Sequence, residues 1–104
     1  MLALALLSIG TAEAQVIRAQ VNGDPEEGHR LATAWCSNCH VVDPQAQSGT
    51  STGAPTFSAI AQMKSVTPMG LSVFLQTPHW RMPDLHLSRE EKDDLIAYIL
   101  SLRR

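Results

Sequence analysis

The sequence predicts a small all-α domain, and three observations carry that expectation. Asp24-Pro25, Thr67-Pro68 and Ser88 with Glu91 read as helix starts, each an oxygen-bearing N-cap followed by proline at the first helical position or by an acid at the third. Leu95, Ile96, Ile99 and Leu102 recur at helical spacing near the end of the chain. No strand pattern precedes Trp35. The chain has 104 residues, which supports one small domain without repeats. Its 8 Lys+Arg stand against 10 Asp+Glu, a balance that does not suggest nucleic acid or a generally anionic surface as partner.

Residues 1–14 read as a signal peptide. Leu2 to Ile9 form a short apolar stretch, and Ala12-Glu13-Ala14 is a small-x-small cleavage site that leaves Gln15 first in a mature domain of residues 15–104. The stretch is too short to span a bilayer, and no other span is expected after cleavage. No Lys or Arg precedes Arg18, so the usual basic start is missing. The alternative is an apolar N-terminal helix packed on the domain. Removal leaves about 90 residues, near the size at which one apolar core needs help from another source.

Residues 15–23 form a lead-in without strong periodicity. The first helix is expected from Asp24 as N-cap, with Pro25 next and Glu27 completing a capping box. Leu31, Ala34 and Trp35 give it a partly apolar face, and His29 and Arg30 are expected at the solvent. It runs into Cys36-Ser37-Asn38-Cys39-His40, where the chain's two cysteines stand. Two thiols about one helical turn apart, followed at once by an imidazole, suit covalent haem attachment. Each thiol adds to one vinyl group, and His40 ligates the iron. A structural zinc site normally needs four protein ligands, and a second C-x-x-C or H-x-x-x-H is missing. A thioredoxin-like pair would follow a strand, which the pattern does not show.

The polar segment from Val41 to Pro55 is expected as an irregular loop passing on the His40 side. An axial histidine needs its second ring nitrogen held by an acceptor, and the Pro55 carbonyl in Gly53-Ala54-Pro55 is the candidate. Alternatively, Pro55 only ends the loop before a short helix over Thr56 to Met63. A further helix starts at Thr67-Pro68, carries Leu71, Val73, Phe74 and Leu75, and ends at Thr77-Pro78. Of the four methionines, Met1 belongs to the signal, and Met63 and Met69 lie in helical contexts where packing is the default. Met82 stands in the polar, proline-flanked loop from His79 to Asp84, and its thioether is the candidate sixth ligand of the iron. His79 and His86 are the alternatives. Trp80 and Arg81 are placed to reach haem propionates through an indole N–H and a guanidinium, or to shield the ring edge and face water.

The last helix opens at Ser88, with Glu91 completing a capping box, and runs through Leu100 with acids in its first turns and Arg103-Arg104 at its end. Its apolar face is expected to close over the first helix, where Gly28 lets the two backbones approach. Lys64, Arg89 and Lys92 are expected on the same side as Arg81, as a basic patch for an acidic partner.

Taken together, Gly28 eight residues before Cys36, the Cys36-Ser37-Asn38-Cys39-His40 stretch, Gly53-Ala54-Pro55, Met82-Pro83 and Asp94-Leu95-Ile96-Ala97-Tyr98-Ile99 resemble a small class I c-type cytochrome of the bacterial periplasm. The resemblance covers residues 24 to 102. It implies three to four helices enclosing one haem c, thioethers from Cys36 and Cys39, axial His40 and Met82, and Pro55 holding His40. One departure is Ala32, where the family often has an aromatic, so that either the contact with Tyr98 is looser or Trp35 compensates. With both axial positions filled, no open iron site remains for a substrate, and the expected function is single-electron transfer rather than enzymatic turnover. The expected partners are a periplasmic dehydrogenase as donor and an oxidase or another cytochrome as acceptor, met as a monomer or in transient complexes. The alternatives are a haem subunit of a periplasmic dehydrogenase, for example one oxidising sulfite or an alcohol, and a gas sensor or weak peroxidase with Met82 displaced.

Overall fold

The computed structural model describes residues 22–45 and 53–104. The signal segment 1–14, most of the lead-in and residues 46–52 of the polar loop lie outside the described residues. The fold is all-α: among the described residues there are four helices, α1 (Pro25–Trp35), α2 (Phe57–Gln62), α3 (Pro68–Gln76) and α4 (Arg89–Ser101), and no strand. No helix among them is long and apolar enough to cross a membrane.

α4 is the central element. The Ser88 hydroxyl accepts from the Glu91 N–H at 3.1 Å, and the Glu91 carboxylate accepts from the Ser88 N–H at 2.9 Å, so the capping box is complete. From Asp94 to Leu100 every residue is buried, because α1, α2 and α3 all pack on this helix. α1 comes closest. A Cβ built at Gly28 would lie 1.9 Å from the Asp94 carbonyl oxygen and 2.8 Å from the Tyr98 Cβ, and one at Gly23 would lie 2.1 Å from the Asp93 oxygen. The two backbones therefore touch, and a side chain at Gly28 has no space.

The other end of α4 anchors α2 and the turn after it. The Arg103 guanidinium donates to the Ala61 and Val66 carbonyls at 2.8 and 2.7 Å, and the Gln62 amide donates to the Leu102 carbonyl at 2.8 Å. These bonds serve carbonyls at the C-terminal ends of α2 and α4 and in the turn after α2, where helix ends leave acceptors without partners. α3 begins at the expected Thr67 N-cap, and in the short helix α2 the expected end residues Thr56 and Met63 serve as its N-cap and C-cap.

Several local expectations give way to long-range contacts. Asp24 does cap α1 by accepting from the Glu26 N–H, but the capping box with Glu27 does not form. The Asp24 N–H is donated to the Asp94 carboxylate at 2.8 Å, and Glu27 pairs with Arg30. Buried Asp94 obtains a hydrogen bond in this way. Ala34 and Trp35 face outward, and Ala32 is the residue fully enclosed beside Leu31. Tyr98 is not met by Trp35. It is met by His29, whose ring centroid lies 4.9 Å away and whose side chain is half exposed, so that it touches both Tyr98 and the solvent expected for it. Met63 and Met69 are exposed, Met69 by 77 %, so neither packs in the core. The expected basic patch also fails, since Lys92 is buried and Arg89 shares a cleft with Asp24, Glu90, Asp93 and Asp94.

Two outcomes follow from this packing. Gly28→Ala is expected to cost about 3 kcal/mol or more, since the backbone atoms it meets have no rotamer to yield, and urea unfolding of the holoprotein measures the loss. The second concerns Tyr98, the single tyrosine, whose hydroxyl donates to the buried Val42 carbonyl at 2.7 Å and whose pKa is raised by burial first and by nearby Asp43 second. Folding favours the neutral phenol, so this contribution is intact below the ordinary tyrosine value of about 10 and is lost as pH climbs above it. Tyr98→Phe should lower stability near neutrality by about 1 kcal/mol and remove this part of the alkaline decline, read by unfolding at a series of pH values.

Candidate haem site

The site begins where α1 stops. Cys36 is the C-cap residue, its N–H donated to the Ala32 carbonyl, and the chain then folds into a tight turn in which the Cys39 and His40 N–H groups both point at the Cys36 carbonyl, at 3.2 and 2.8 Å. One peptide oxygen thus gathers both thiols and the imidazole onto a single turn. Cys36 is partly buried against the core, and its thiol is pushed up to about 11 by that burial and then by Cys39 beside it. Cys39 lies at the surface.

His40 is held from its far side. Its Nδ1 lies 2.6 Å from the Pro55 carbonyl oxygen, and since a carbonyl only accepts, Nδ1 carries the proton. In the neutral ring the Nε2 lone pair is then available to a metal. Gly53 makes the approach possible by taking φ +75°, a left-handed conformation that turns the chain into Ala54-Pro55. The Phe57 ring packs 5.2 Å from the imidazole, and its N–H is donated to the Val41 carbonyl at 3.0 Å.

Met82, Trp80 and Arg81 come from a separate segment, the irregular loop between α3 and α4. Met82 is half-buried there, between exposed Arg81 and Pro83. Trp80 is 88 % exposed, and the Arg81 guanidinium stacks 4.5 Å over its ring. Of the alternative histidines, His79 donates its Nε2–H to the Phe74 carbonyl at 2.9 Å and stacks on the Phe74 ring, while His86 sits exposed in a left-handed conformation with its N–H donated to Asp84. Among the described residues no group of three or more His, Cys, Asp and Glu is placed to hold a metal ion.

The residues present fit a haem on two grounds. A neutral imidazole with Nε2 available, beside two thiols one turn apart, suits iron in a porphyrin attached through its edge. From Ser65 to Trp80 there is no Asp, Glu, Lys or Arg, yet of α3 only Leu71 is buried, and Val73 and Phe74 remain uncovered by protein, as does Trp35 at the end of α1. A planar apolar group is what such a surface lacks.

Sequence reasoning missed the supports behind His40: the Phe57 ring, the Tyr98 hydroxyl on Val42, and the His29 contact with Asp43 at 2.6 Å. Tyr98 alone carried a signal, since a tyrosine on the apolar face of a helix needs a partner for its hydroxyl. No family model matches the chain, and no solved structure gives a significant match. A curated relative does: the chain is 36 % identical over 98 residues to cytochrome c-552 of Bradyrhizobium diazoefficiens, a similarity spanning 94 % of this chain and 89 % of the relative. With that extent of likeness, an all-helical fold built on the α1–α4 contact, and a turn that presents Cys36, Cys39 and a proton-anchored His40 together, the chain belongs to the class I c-type cytochromes.

Proposed function

We propose that the protein is a periplasmic single-electron carrier that holds one haem c between His40 and Met82. The observation that carries this reading is the 2.6 Å contact from His40 Nδ1 to the Pro55 carbonyl, because it fixes the tautomer and aim of an imidazole adjoining a Cys-x-x-Cys pair. When bound, the haem supplies a one-electron Fe(III)/Fe(II) couple. Cys36 and Cys39 hold it as thioethers, His40 gives Nε2 to the iron, and Pro55 raises the basicity of that ring by accepting its Nδ1–H. Met82 gives a soft, neutral sulfur that favours the ferrous state, and Pro83 stiffens the loop presenting it. Trp80 and Arg81 reach the propionates through their N–H donors. Residues 1–14 direct export, and the electron passes from a periplasmic dehydrogenase to an oxidase or another cytochrome.

Acid-acetone extraction tests the attachment: colour that stays with the chain, at one haem per polypeptide, is expected, and haem recovered in the organic phase would overturn it. A Cys36→Ser/Cys39→Ser variant, unable to retain the group, is expected to lose most of its helical circular dichroism, since the uncovered surface around α3 and the short chain leave too small an apolar core. Met82→Ala is expected to abolish the weak sulfur-to-iron charge-transfer absorption at the red end of the ferric spectrum, to lower the midpoint potential and to admit carbon monoxide. Retention of that band in Met82→Ala, with its loss in Met63→Ala or Met69→Ala, would place the ligand elsewhere.

A further inference from the structure

The three residues that follow His40 belong to no helix, yet each is gripped by a different one. The Val41 carbonyl accepts from the N–H of Phe57, the first residue of α2, at 3.0 Å. The Val42 carbonyl accepts from the Tyr98 hydroxyl of α4 at 2.7 Å, and the Val42 side chain is buried. The Asp43 carboxylate meets Nε2 of His29 in α1 at 2.6 Å. A segment without its own hydrogen-bonding pattern is thus fixed at consecutive positions from three directions.

These grips are unequal. His29 and Asp43 are half exposed, and water competes for both. The bond from Tyr98 joins residues 56 apart in sequence and is buried, so nothing replaces it if it is lost. The phenol has little freedom, because its ring packs against the rings of His29 and Phe57, at 4.9 and 6.3 Å, on a helix buried from Asp94 to Leu100. Phe57 in turn packs on the His40 ring.

We infer that Tyr98 is a positioning residue for the iron ligand: its hydroxyl, by fixing the Val42 carbonyl two residues beyond His40, sets the length and direction of the hydrogen bond from His40 Nδ1–H to Pro55. This rests on His40 being the ligand. An imidazole that donates strongly through Nδ1 is the better electron donor at Nε2 and favours ferric iron. If Val41 to Asp43 relax, that bond lengthens, the ring donates less, and the midpoint potential rises.

The test uses the holoprotein. Tyr98→Phe keeps the ring and removes the hydroxyl. The expected result is a higher midpoint potential and roughly tenfold faster exchange of the His40 Nδ1 proton, followed by nitrogen-labelled histidine NMR of the ferrous protein, at unchanged helicity. Ser88→Ala serves as the control, since it removes the N-cap of α4 and lowers stability by a similar amount without touching residues 41–43; both readouts should stay at their wild-type values. Global incorporation of 3-fluorotyrosine changes only Tyr98, the single tyrosine, and makes its hydroxyl a stronger donor, so exchange should slow and the potential fall. Wild-type values in Tyr98→Phe, equal shifts in Ser88→Ala, or a fluorotyrosine shift in the same direction as Tyr98→Phe would each overturn the inference. Failure of the underlying reading is seen separately, because His40 ring protons in the wild-type ferrous protein would then lack the large upfield shifts of an axial ligand. Should Tyr98→Phe fail to fold, the fluorotyrosine protein decides alone.

Discussion

The direct backbone contact between α1 and α4 is the constraint from which the rest of the molecule follows. Where Gly28 lies against the Asp94 carbonyl, the helices approach more closely than a side chain at that position allows, and this close approach sets where they cross. Asp94 reinforces the crossing by accepting the Asp24 N–H, a bond between residues 70 apart that ties the start of one helix to the side of the other. With α1 anchored there, its C-terminal end and the Cys36 turn have a defined height along α4. Tyr98, one turn further on, is then opposite Val42, and the Cys-x-x-Cys-His turn and the terminal helix form one rigid unit.

Such rigidity serves electron transfer in a physical sense. A carrier that alternates between two charge states works best when the groups around the metal do not rearrange, since each rearrangement adds to the barrier. Here the iron-binding imidazole proposed above is held at Nδ1 by the Pro55 carbonyl, and the segment that follows it is tied to α4 at buried Val42. The α3 side is different in character. It packs on α4 through Leu71 and leaves Val73 and Phe74 uncovered by protein, so its stability leans on whatever apolar group completes that side. A chain of this length supports one small core, and the buried residues form a single cluster centred on α4.

Readings from neighbouring residues succeeded where the interaction involved was local. The caps at Asp24, Thr67 and Ser88 are all in place, because an N-cap needs only a side-chain oxygen and the N–H groups two or three residues on. They failed where a local partner had a distant competitor. Glu27 lost its place in a capping box because the Asp24 N–H was already given to Asp94, and Arg30 was free to take its carboxylate. His29 was assigned to water on its helical position alone, whereas the loop carrying Asp43 folds back over that position. The grouping of Arg89 and Lys92 with Arg81 failed for the same reason: their spatial neighbours are set by where α4 crosses α1.

The sequence by itself determined the helical class, the N-caps at Asp24, Thr67 and Ser88 and the Cys36, Cys39 and His40 constellation, since each of these is written in residues close enough to interact along the chain. Tertiary structure alone decided which groups stand behind His40. Tyr98 on Val42, Phe57 on the imidazole and Arg103 on the Ala61 carbonyl join residues that no periodicity connects. Their meeting depends on the angle and height at which two helices pack, and that is a property of the whole folded core, set once Gly28 and Asp94 are in contact.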